Sequence, residues 1–159
     1  MKTTLLIMTL LLSACTDMKE LQKQVNTHNK PTQKTTYNIN ELKIYAFKEA
    51  VKNEISPIRF INQLKIESNF NTYAIGKADE IGIGQIKPST AKEFCLIDNP
   101  EDLKNPYINI QCAARIKSVL AKKYKSERKA EKHYNGGFKC VKNKCKQVEA
   151  YINKIDKIA

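Results

Sequence analysis

The sequence contains no tryptophan, and aromatic residues make up only 8% of its 159 residues. It shows neither a zinc-finger spacing nor an RNA-recognition motif, although its formal net charge is +12. Nucleic-acid-binding proteins usually combine a basic surface with such motifs or with aromatic side chains on which bases stack. The sequence therefore argues against nucleic acid as the partner of this positive charge.

Residues suited to metal binding are also scarce. The only histidines are His28 and His133, and no two cysteines form a Cys-x-x-Cys pair. Structural zinc sites usually take their four ligands from closely paired cysteines and histidines. We therefore expect no metal site and no cofactor.

Residues 1–15 contain an apolar run, Leu5 to Leu12, that is too short to span a bilayer as a stable helix. Lys2 precedes this run and Ser13-Ala14 follow it, an arrangement typical of a secretory signal peptide. The ending Leu12 to Cys15 resembles the lipobox of bacterial lipoproteins, in which cleavage before the cysteine leaves it as the lipidated N-terminus. We therefore interpret residues 1–14 as a lipoprotein signal peptide, with an ordinary secretory signal as the alternative.

A lipidated Cys15 would anchor the protein to a membrane rather than make it span one. Thr16, rather than Asp, follows Cys15, which by the same resemblance favours the outer membrane and an exported, periplasmic protein. Residues 16–38 are rich in Gln, Asn, Thr and Lys and lack sustained apolar periodicity. We therefore assign residues 15–39 to a flexible, lipid-anchored linker that spans roughly 25–30 Å as a coil.

Residues 40–159 form the predicted domain, in which apolar residues recur at helical spacing without a strand pattern or an internal repeat. Asn40 is the expected N-cap of the first helix, and Ser56-Pro57 is a strong helix start. Predicted helices cover 41–51, 58–67, 89–94, 107–124, a segment from Ser126 to before Gly136-Gly137, and a last segment around 148–158. Their expected inward faces are Ile44, Phe47 and Val51; Ile58, Ile61 and Leu64; Cys112, Ile116, Val119 and Leu120; and Val148, Tyr151, Ile152, Ile155 and Ile158.

Four cysteines lie in the predicted domain: Cys95, Cys112, Cys140 and Cys145. An even number in an exported domain indicates disulfides, and four cysteines allow three pairings. We favour Cys140–Cys145, which closes a small loop, and Cys95–Cys112, which would pin a short helix to the next long one. Each bridge would stabilise the domain by roughly 2–4 kcal/mol.

Three polar motifs follow one another in the domain. Glu67-Ser68 end an apolar helix face, a glycine-punctuated stretch leads to Gln85, and His133-Tyr134-Asn135-Gly136-Gly137 lie far downstream. As an ordered set, they resemble the Glu-Ser, Gly-Leu-Met-Gln and Ala-Tyr-Asn-Ala-Gly motifs of the lytic transglycosylase family, which is related to goose-type lysozyme. The resemblance covers residues 41–155 and implies a compact, mainly α, lysozyme-like domain with a substrate cleft.

The resemblance also implies a reaction. Glu67 would protonate the β-1,4 bond between N-acetylmuramic acid and N-acetylglucosamine in peptidoglycan. It would then take the proton of the muramoyl 6-hydroxyl, which attacks the anomeric carbon and yields a 1,6-anhydro sugar. A carboxyl can act as this acid only if its pKa is raised, usually by an apolar pocket. Glu67 would meet this need beneath Ile83 and Tyr134.

The other motif residues would bind the substrate or support the site rather than transfer protons. Ser68 and Gln85 would hydrogen-bond the sugar or hold the loop, and Tyr134 would position Glu67 or the substrate's acetamido group. Asn135 would contact the sugar or serve the turn before the glycines. Gly82 would let the backbone approach the sugar closely.

Some positions depart from the family pattern and leave alternatives open. Asp79 and Glu80 stand where Gly-Ala is usual, so a second carboxylate could support a hydrolytic, lysozyme-type muramidase. Residues 113–159 hold fourteen Lys or Arg and four Asp or Glu, a net charge of +10 (14 − 4). That charge keeps open a non-catalytic, cationic wall-binding lipoprotein. Glycan strands are the expected partner, and the small domain also fits a local cutter that serves a secretion or conjugation machine.

Overall fold

The computed structural model describes residues 36–158. Within the described part the chain has six α-helices, one 3-10 helix and no β-strand, so the mainly α prediction is confirmed. The predicted signal peptide (1–14), Cys15 and the linker up to residue 35 lie outside the described residues. The helices are α1 Ile39–Lys52, α2 Pro57–Ser68, α3 Pro88–Cys95, the 3-10 helix Pro100–Lys104, α4 Pro106–Tyr124, α5 Glu127–Lys142 and α6 Lys146–Ile158.

Two absences hold for residues 36–158. None of their helices combines the length and apolar character needed to cross a bilayer. No group of three or more His, Cys, Asp or Glu side chains there is arranged to hold a metal ion.

Side-chain caps fix where the helices begin. The oxygen of Asn38 accepts the backbone N–H of Asn40 at 2.9 Å, so the prediction of Asn40 as the cap of α1 is wrong by two residues. Ser56 caps α2 as predicted, accepting the N–H of Arg59 at 3.5 Å. Asn105 caps α4 by accepting the N–H of the second and third helical residues. Each cap supplies an acceptor for an N–H that the helix itself leaves unpaired.

Helix α4 is the centre of the fold, and α1, α3 and α5 pack against it. The larger core surrounds it and includes the fully buried Phe60, Leu64, Ile83, Leu103 and Ile110. A smaller core lies where α5 and α6 meet the end of α2. Its members are Cys140, Val148, Tyr151, Ile152 and Ile155, with Ile66 and Cys145 at its edge.

The predicted inward face of α1 is wrong. Ile44, Phe47 and Val51 are 58%, 50% and 58% exposed, whereas Leu42 and Ala46 are buried. Helix α1 carries two apolar stripes, and the one rich in alanine packs inward because small side chains let neighbouring helices approach closely. Two further residues that we expected inside, Ile58 and Val119, are also exposed.

The last helix has the predicted buried stripe. Val148, Tyr151, Ile152 and Ile155 are all buried. The side chain of Ile158 lies outside the described part of the chain.

Helix α5 breaks at Gly137, next to where its end was predicted. Gly137 has φ 69° and ψ −178°, and a short helical segment then continues to Lys142, so the predicted end is too early. Gly136 is required by packing, because a Cβ there would lie 2.8 Å from the sulfur of Cys140 and would overlap Val148. Residues 143–145 then connect this segment to α6.

Both disulfide pairings that we favour are present. Cys95–Cys112 joins the end of α3 to α4, and Cys140–Cys145 joins α5 to the start of α6.

An ion-pair network with a buried centre connects four helices. The ammonium of Lys117 lies 2.9 Å from Glu131, and both side chains are fully buried. Arg59 on α2 donates to the same Glu131 at 2.6 Å and to Asp156 on α6 at 2.7 Å. Arg128 on α5 also pairs with Asp156. The network therefore fixes α6 relative to α2, the helix that ends at Glu67.

Candidate active site

The loop between α2 and α3 folds back on itself near Glu67. Isolated antiparallel bridges join Ile75 to Ile81 and Ile81 to Ile86. The N–H of Ile81 donates to the carbonyl of Ile86 at 2.9 Å, and the reverse bond is 3.1 Å. The loop thus has a defined backbone although it contains no regular strand.

Two side chains of the predicted site hold this loop from outside. The hydroxyl of Ser68 donates to the carbonyl of Ile83 at 2.9 Å, and the hydroxyl of Tyr134 donates to the carbonyl of Gly84 at 2.8 Å. One tie comes from the end of α2 and the other from α5. Of the two roles expected for Ser68, the structure shows that of holding the loop.

Gln85 ties the loop from within. It has φ 48°, and its side-chain amide donates to the carbonyls of Gly82 at 2.9 Å and Ala74 at 3.3 Å. It therefore closes the loop on itself, which is again the second of the roles we expected.

Asn109 on α4 is a loop anchor that the sequence reasoning missed. It is fully buried, donates to the carbonyls of Ile81 and Leu103 at 2.9 Å each, and accepts the N–H of Gly84 at 2.7 Å. An asparagine between two isoleucines on a buried helix was the available signal, because a buried amide requires partners.

Gly82 is explained by the same anchor. It has φ +74°, and a Cβ there would overlap the amide of Asn109 and lie 2.6 Å from the carbonyl of Leu103. The missing side chain leaves room for the Asn109 amide and the Leu103 carbonyl. We expected it to let the loop backbone approach the sugar.

Glu67 lies in the last turn of α2 and is half-buried. Its Oε1 accepts a hydrogen bond of 2.7 Å from the hydroxyl of Tyr151. Burial raises the pKa of Glu67 to about 7, the Tyr151 hydrogen bond opposes that rise, and the negative charge of Glu80 adds to it. At neutral pH the carboxyl is therefore divided between its acidic and basic forms, as acid–base catalysis requires.

Tyr151 is the functional residue that the sequence reasoning placed elsewhere, in the apolar stripe of α6. It is 7% exposed and belongs to the smaller core, yet its hydroxyl reaches Glu67. Burial, and then the charge of Glu67, raise the pKa of Tyr151 well above its ordinary value, so it remains a donor. The pKa of Tyr134 is raised well above its ordinary value by the same two causes.

The two loop acids differ in position. Asp79 is exposed on a left-handed turn with φ 60°, whereas Glu80 is half-buried and accepts the N–H of Ala78 at 3.0 Å. The bare Gly76 makes room for the Glu80 carboxylate, because a Cβ there would overlap it. Of these two acids, Glu80 is therefore the one whose charge acts on Glu67.

The other two polar motif residues on α5, Asn135 and His133, form no hydrogen bond with the loop. Asn135 is exposed just before the break in α5, and its side chain makes no hydrogen bond with residues 36–158. The ring of His133 shares a hydrogen bond of 2.7 Å with the hydroxyl of Tyr124 on α4. The structure thus gathers Glu67, Ser68, Gln85 and Tyr134 around one loop, with Asn135 at the surface.

Comparisons with known proteins concern the family and the fold of this chain. A family model described as "Transglycosylase SLT domain" matches residues 44–156. Among solved structures, an inactive glutamate-to-glutamine mutant of the lytic transglycosylase Slt from Pseudomonas aeruginosa matches with a TM-score of 0.66 and 18% identity. The match covers 71% of this chain and 22% of that one, so this chain spans about a fifth of that protein's length. No curated protein sequence matches the chain.

Proposed function

Because this chain belongs to the transglycosylase SLT domain family, we propose that it is a peptidoglycan lytic transglycosylase with Glu67 as its acid and base. It would cleave the β-1,4 bond between N-acetylmuramic acid and N-acetylglucosamine and leave a 1,6-anhydro end. The observation that carries the proposal is the Glu67 carboxyl, half-buried beside an ordered loop, with a pKa of about 7.

The geometry of Glu67 suits a carboxyl that first donates a proton and then accepts one. Tyr151 holds Oε1, whereas Oε2 makes no hydrogen bond with residues 36–158. Oε2 is therefore the oxygen that would give its proton to the glycosidic oxygen as the bond to the anomeric carbon breaks. The resulting carboxylate would then accept the proton of the 6-hydroxyl as that oxygen bonds to the anomeric carbon. No water is consumed, and atoms and charge balance.

Charge develops on the sugar ring during this step. The substrate's own acetamido group would stabilise it, as in substrate-assisted glycosidases that lack a second carboxylate as nucleophile. Ser68, Gln85, Asn109 and Tyr134 would act indirectly, because their hydrogen bonds fix the loop against which the sugar lies.

A hydrolytic muramidase is the second candidate, and Glu80 is the observation that favours it. Glu80 is the acid whose charge reaches Glu67, and it is partly shielded from solvent. In such an enzyme it would activate a water on the opposite face of the sugar. A purely wall-binding function has less support, because binding alone does not require a carboxyl with a pKa of about 7.

Mass spectrometry of digested peptidoglycan tests the proposal. Products one water lighter than hydrolytic fragments, and resistant to reduction, are expected from the wild type and not from Glu67→Gln. Glu93→Gln, which changes an exposed glutamate on α3, is the matched control and should behave as the wild type. Reducible products of full mass would establish hydrolysis instead, and release by Glu67→Gln would remove Glu67 from the mechanism.

The membrane location is part of the same proposal. A lipid on Cys15 would hold the enzyme on the periplasmic side of a membrane, the outer one by the resemblance of its Cys15-Thr16 pair. There it would serve a secretion or conjugation machine as a local cutter of the wall. Cys15→Ser should release the protein from the membrane fraction, and retention of that variant would contradict the anchor.

A further inference from the structure

Part of the positive charge of residues 113–158 lies in one turn, where no acid balances it. Residues 133–148 hold four lysines and no acid. All four lysines are exposed, and none forms an ion pair with residues 36–158. They are Lys139, Lys142, Lys144 and Lys146.

The acids of the same region are already occupied. Glu127, Glu131, Glu149 and Asp156 each pair with another lysine or arginine. Lys144 acts on Glu149 only at longer range, because Lys132 is its ion-pair partner. No acid of the described residues therefore forms an ion pair with the four lysines, which leaves them accessible to a partner outside the chain.

The turn that carries them, residues 138–146, is called the basic turn. It begins at the break in α5, and the Cys140–Cys145 disulfide closes it. Phe138 is 50% exposed, and the ammonium of Lys142 lies 4.6 Å from its ring centroid. The basic turn is constrained by a disulfide and exposes an aromatic ring beside lysines that form no ion pair with the described residues. Such a combination is typical of a binding surface.

The basic turn is joined to the acid by one layer of packing. Cys140 is buried in the smaller core together with Val148 and Tyr151. Tyr151 in turn donates to Glu67. Through the smaller core, the basic turn is therefore linked to the residue that holds Glu67.

We propose that the basic turn binds carboxylates of the peptide stems on the glycan strand and makes the enzyme prefer strands that carry stems. This inference rests on the proposed function, which supplies the strand. Single exposed ion pairs contribute little and are screened by salt, so the preference arises from several lysines acting on several carboxylates. Phe138 would cover an apolar part of the bound stem or sugar.

A double variant of the full chain, Lys142→Gln with Lys144→Gln, tests the inference. Its matched control is Lys125→Gln with Lys129→Gln, which removes the same charge from two exposed lysines that form no ion pair with the described residues. Initial rates are measured against concentration for glycan strands with stems and for strands from which an amidase has removed them. On strands with stems, the turn variant should need about threefold to tenfold more substrate for half its maximal rate, as expected for two exposed charge pairs.

The remaining readouts separate a site from a general charge effect. The maximal rate should not change, the defect should vanish at high salt, and strands without stems should show no difference between variants. An equal defect in the control, or an equal defect on strands without stems, would overturn the inference.

The same materials separate failure of the inference from failure of the proposed function. If the wild type cleaves neither strand, the proposed function fails. Co-sedimentation of the chain with each strand then still tests the turn. Equal retention of wild type and turn variant on strands with stems would overturn the inference in that case.

Discussion

The two sides of the candidate site are held together in different ways. The loop of residues 74–86 rests on the larger core and is tied by Ser68, Asn109 and Tyr134. Tyr151 comes from the smaller core, which has five buried residues. That core depends on a disulfide and on the Arg59–Asp156 ion pair as well as on apolar contacts. The smaller core, which supplies the hydrogen bond to Oε1 of Glu67, thus has fewer apolar contacts than the larger core. Changes in the smaller core should therefore lower activity more than they lower the stability of the fold.

Removing the link between the two sides should have the largest effect. Glu131→Ala would leave Lys117 and Arg59 without their shared partner, and Lys117 is fully buried. We expect the free energy of unfolding to fall by about 3–5 kcal/mol in urea titrations. Lys122→Gln, which breaks an exposed pair with Glu54, is the control and should cost less than about 1 kcal/mol. Similar losses in both variants would contradict the structural role of the buried network.

The two disulfides allow a direct comparison of the sides. Cys95–Cys112 spans 17 residues and Cys140–Cys145 spans 5, so chain entropy predicts stabilisation by about 3 and about 2 kcal/mol. We expect the Cys140→Ser, Cys145→Ser variant to lose more activity although it loses less stability, because that bridge lies in the core that holds Tyr151. Unfolding curves and digestion rates for both double variants test this reversal. Losses of activity that follow losses of stability would show that the two sides behave alike.

Tyr151→Phe should move the pH dependence of activity upward. The protonated form of Glu67 begins the reaction, so activity is lost as pH rises through its pKa of about 7. The Tyr151 hydrogen bond favours the charged carboxylate, and without it the pKa rises by about one pH unit, from a charged hydrogen bond of about 1.5 kcal/mol. The alkaline limb of the rate profile should therefore shift to higher pH. A shift to lower pH would mean that Tyr151 acts mainly by excluding water.

Glu80→Gln should have the smallest effect and the opposite sign. The charge of Glu80 adds to the rise in the pKa of Glu67 that burial causes, so its removal lowers that pKa. The alkaline limb should shift to lower pH by less than about one unit, since the two groups interact through partly solvated space. Asp79→Asn, on the exposed turn, is the control and should leave the profile unchanged. Loss of all turnover in Glu80→Gln would instead identify Glu80 as the base of a hydrolase.

Much of the fold follows from local signals in the sequence. Ser56-Pro57 and the Asn105-Pro106 pair mark helix starts through caps and a fixed φ, which depend on neighbouring residues only. The inward face of α1 did not follow, because periodicity shows that a stripe exists and does not say which of two stripes meets α4. The prediction that Val119 of α4 is buried is also wrong.

The site was predictable in part. Glu67 and the loop residues belong to motifs. Ser68 and Gln85 each fit two roles by sequence, and only their hydrogen bonds in the folded protein separate the two. The sequence predicts Tyr151 as a core residue. Its ring is buried as predicted, but its hydroxyl also donates a hydrogen bond to Glu67. Its contact joins residues 84 positions apart, and no local pattern reports such a pairing.

The position of Glu67 in the last turn of α2 has a consequence for how this acid is maintained. The peptide dipoles of a helix place partial negative charge at its carboxyl end, which disfavours an anion there. Chain direction therefore works with burial to keep the proton on Glu67. Asn69, with φ 53°, is the residue that ends this helix. The backbone turn at Asn69 thus contributes to the electrostatic potential at a carboxyl two residues away, so the proton affinity of Glu67 depends in part on where the helix stops.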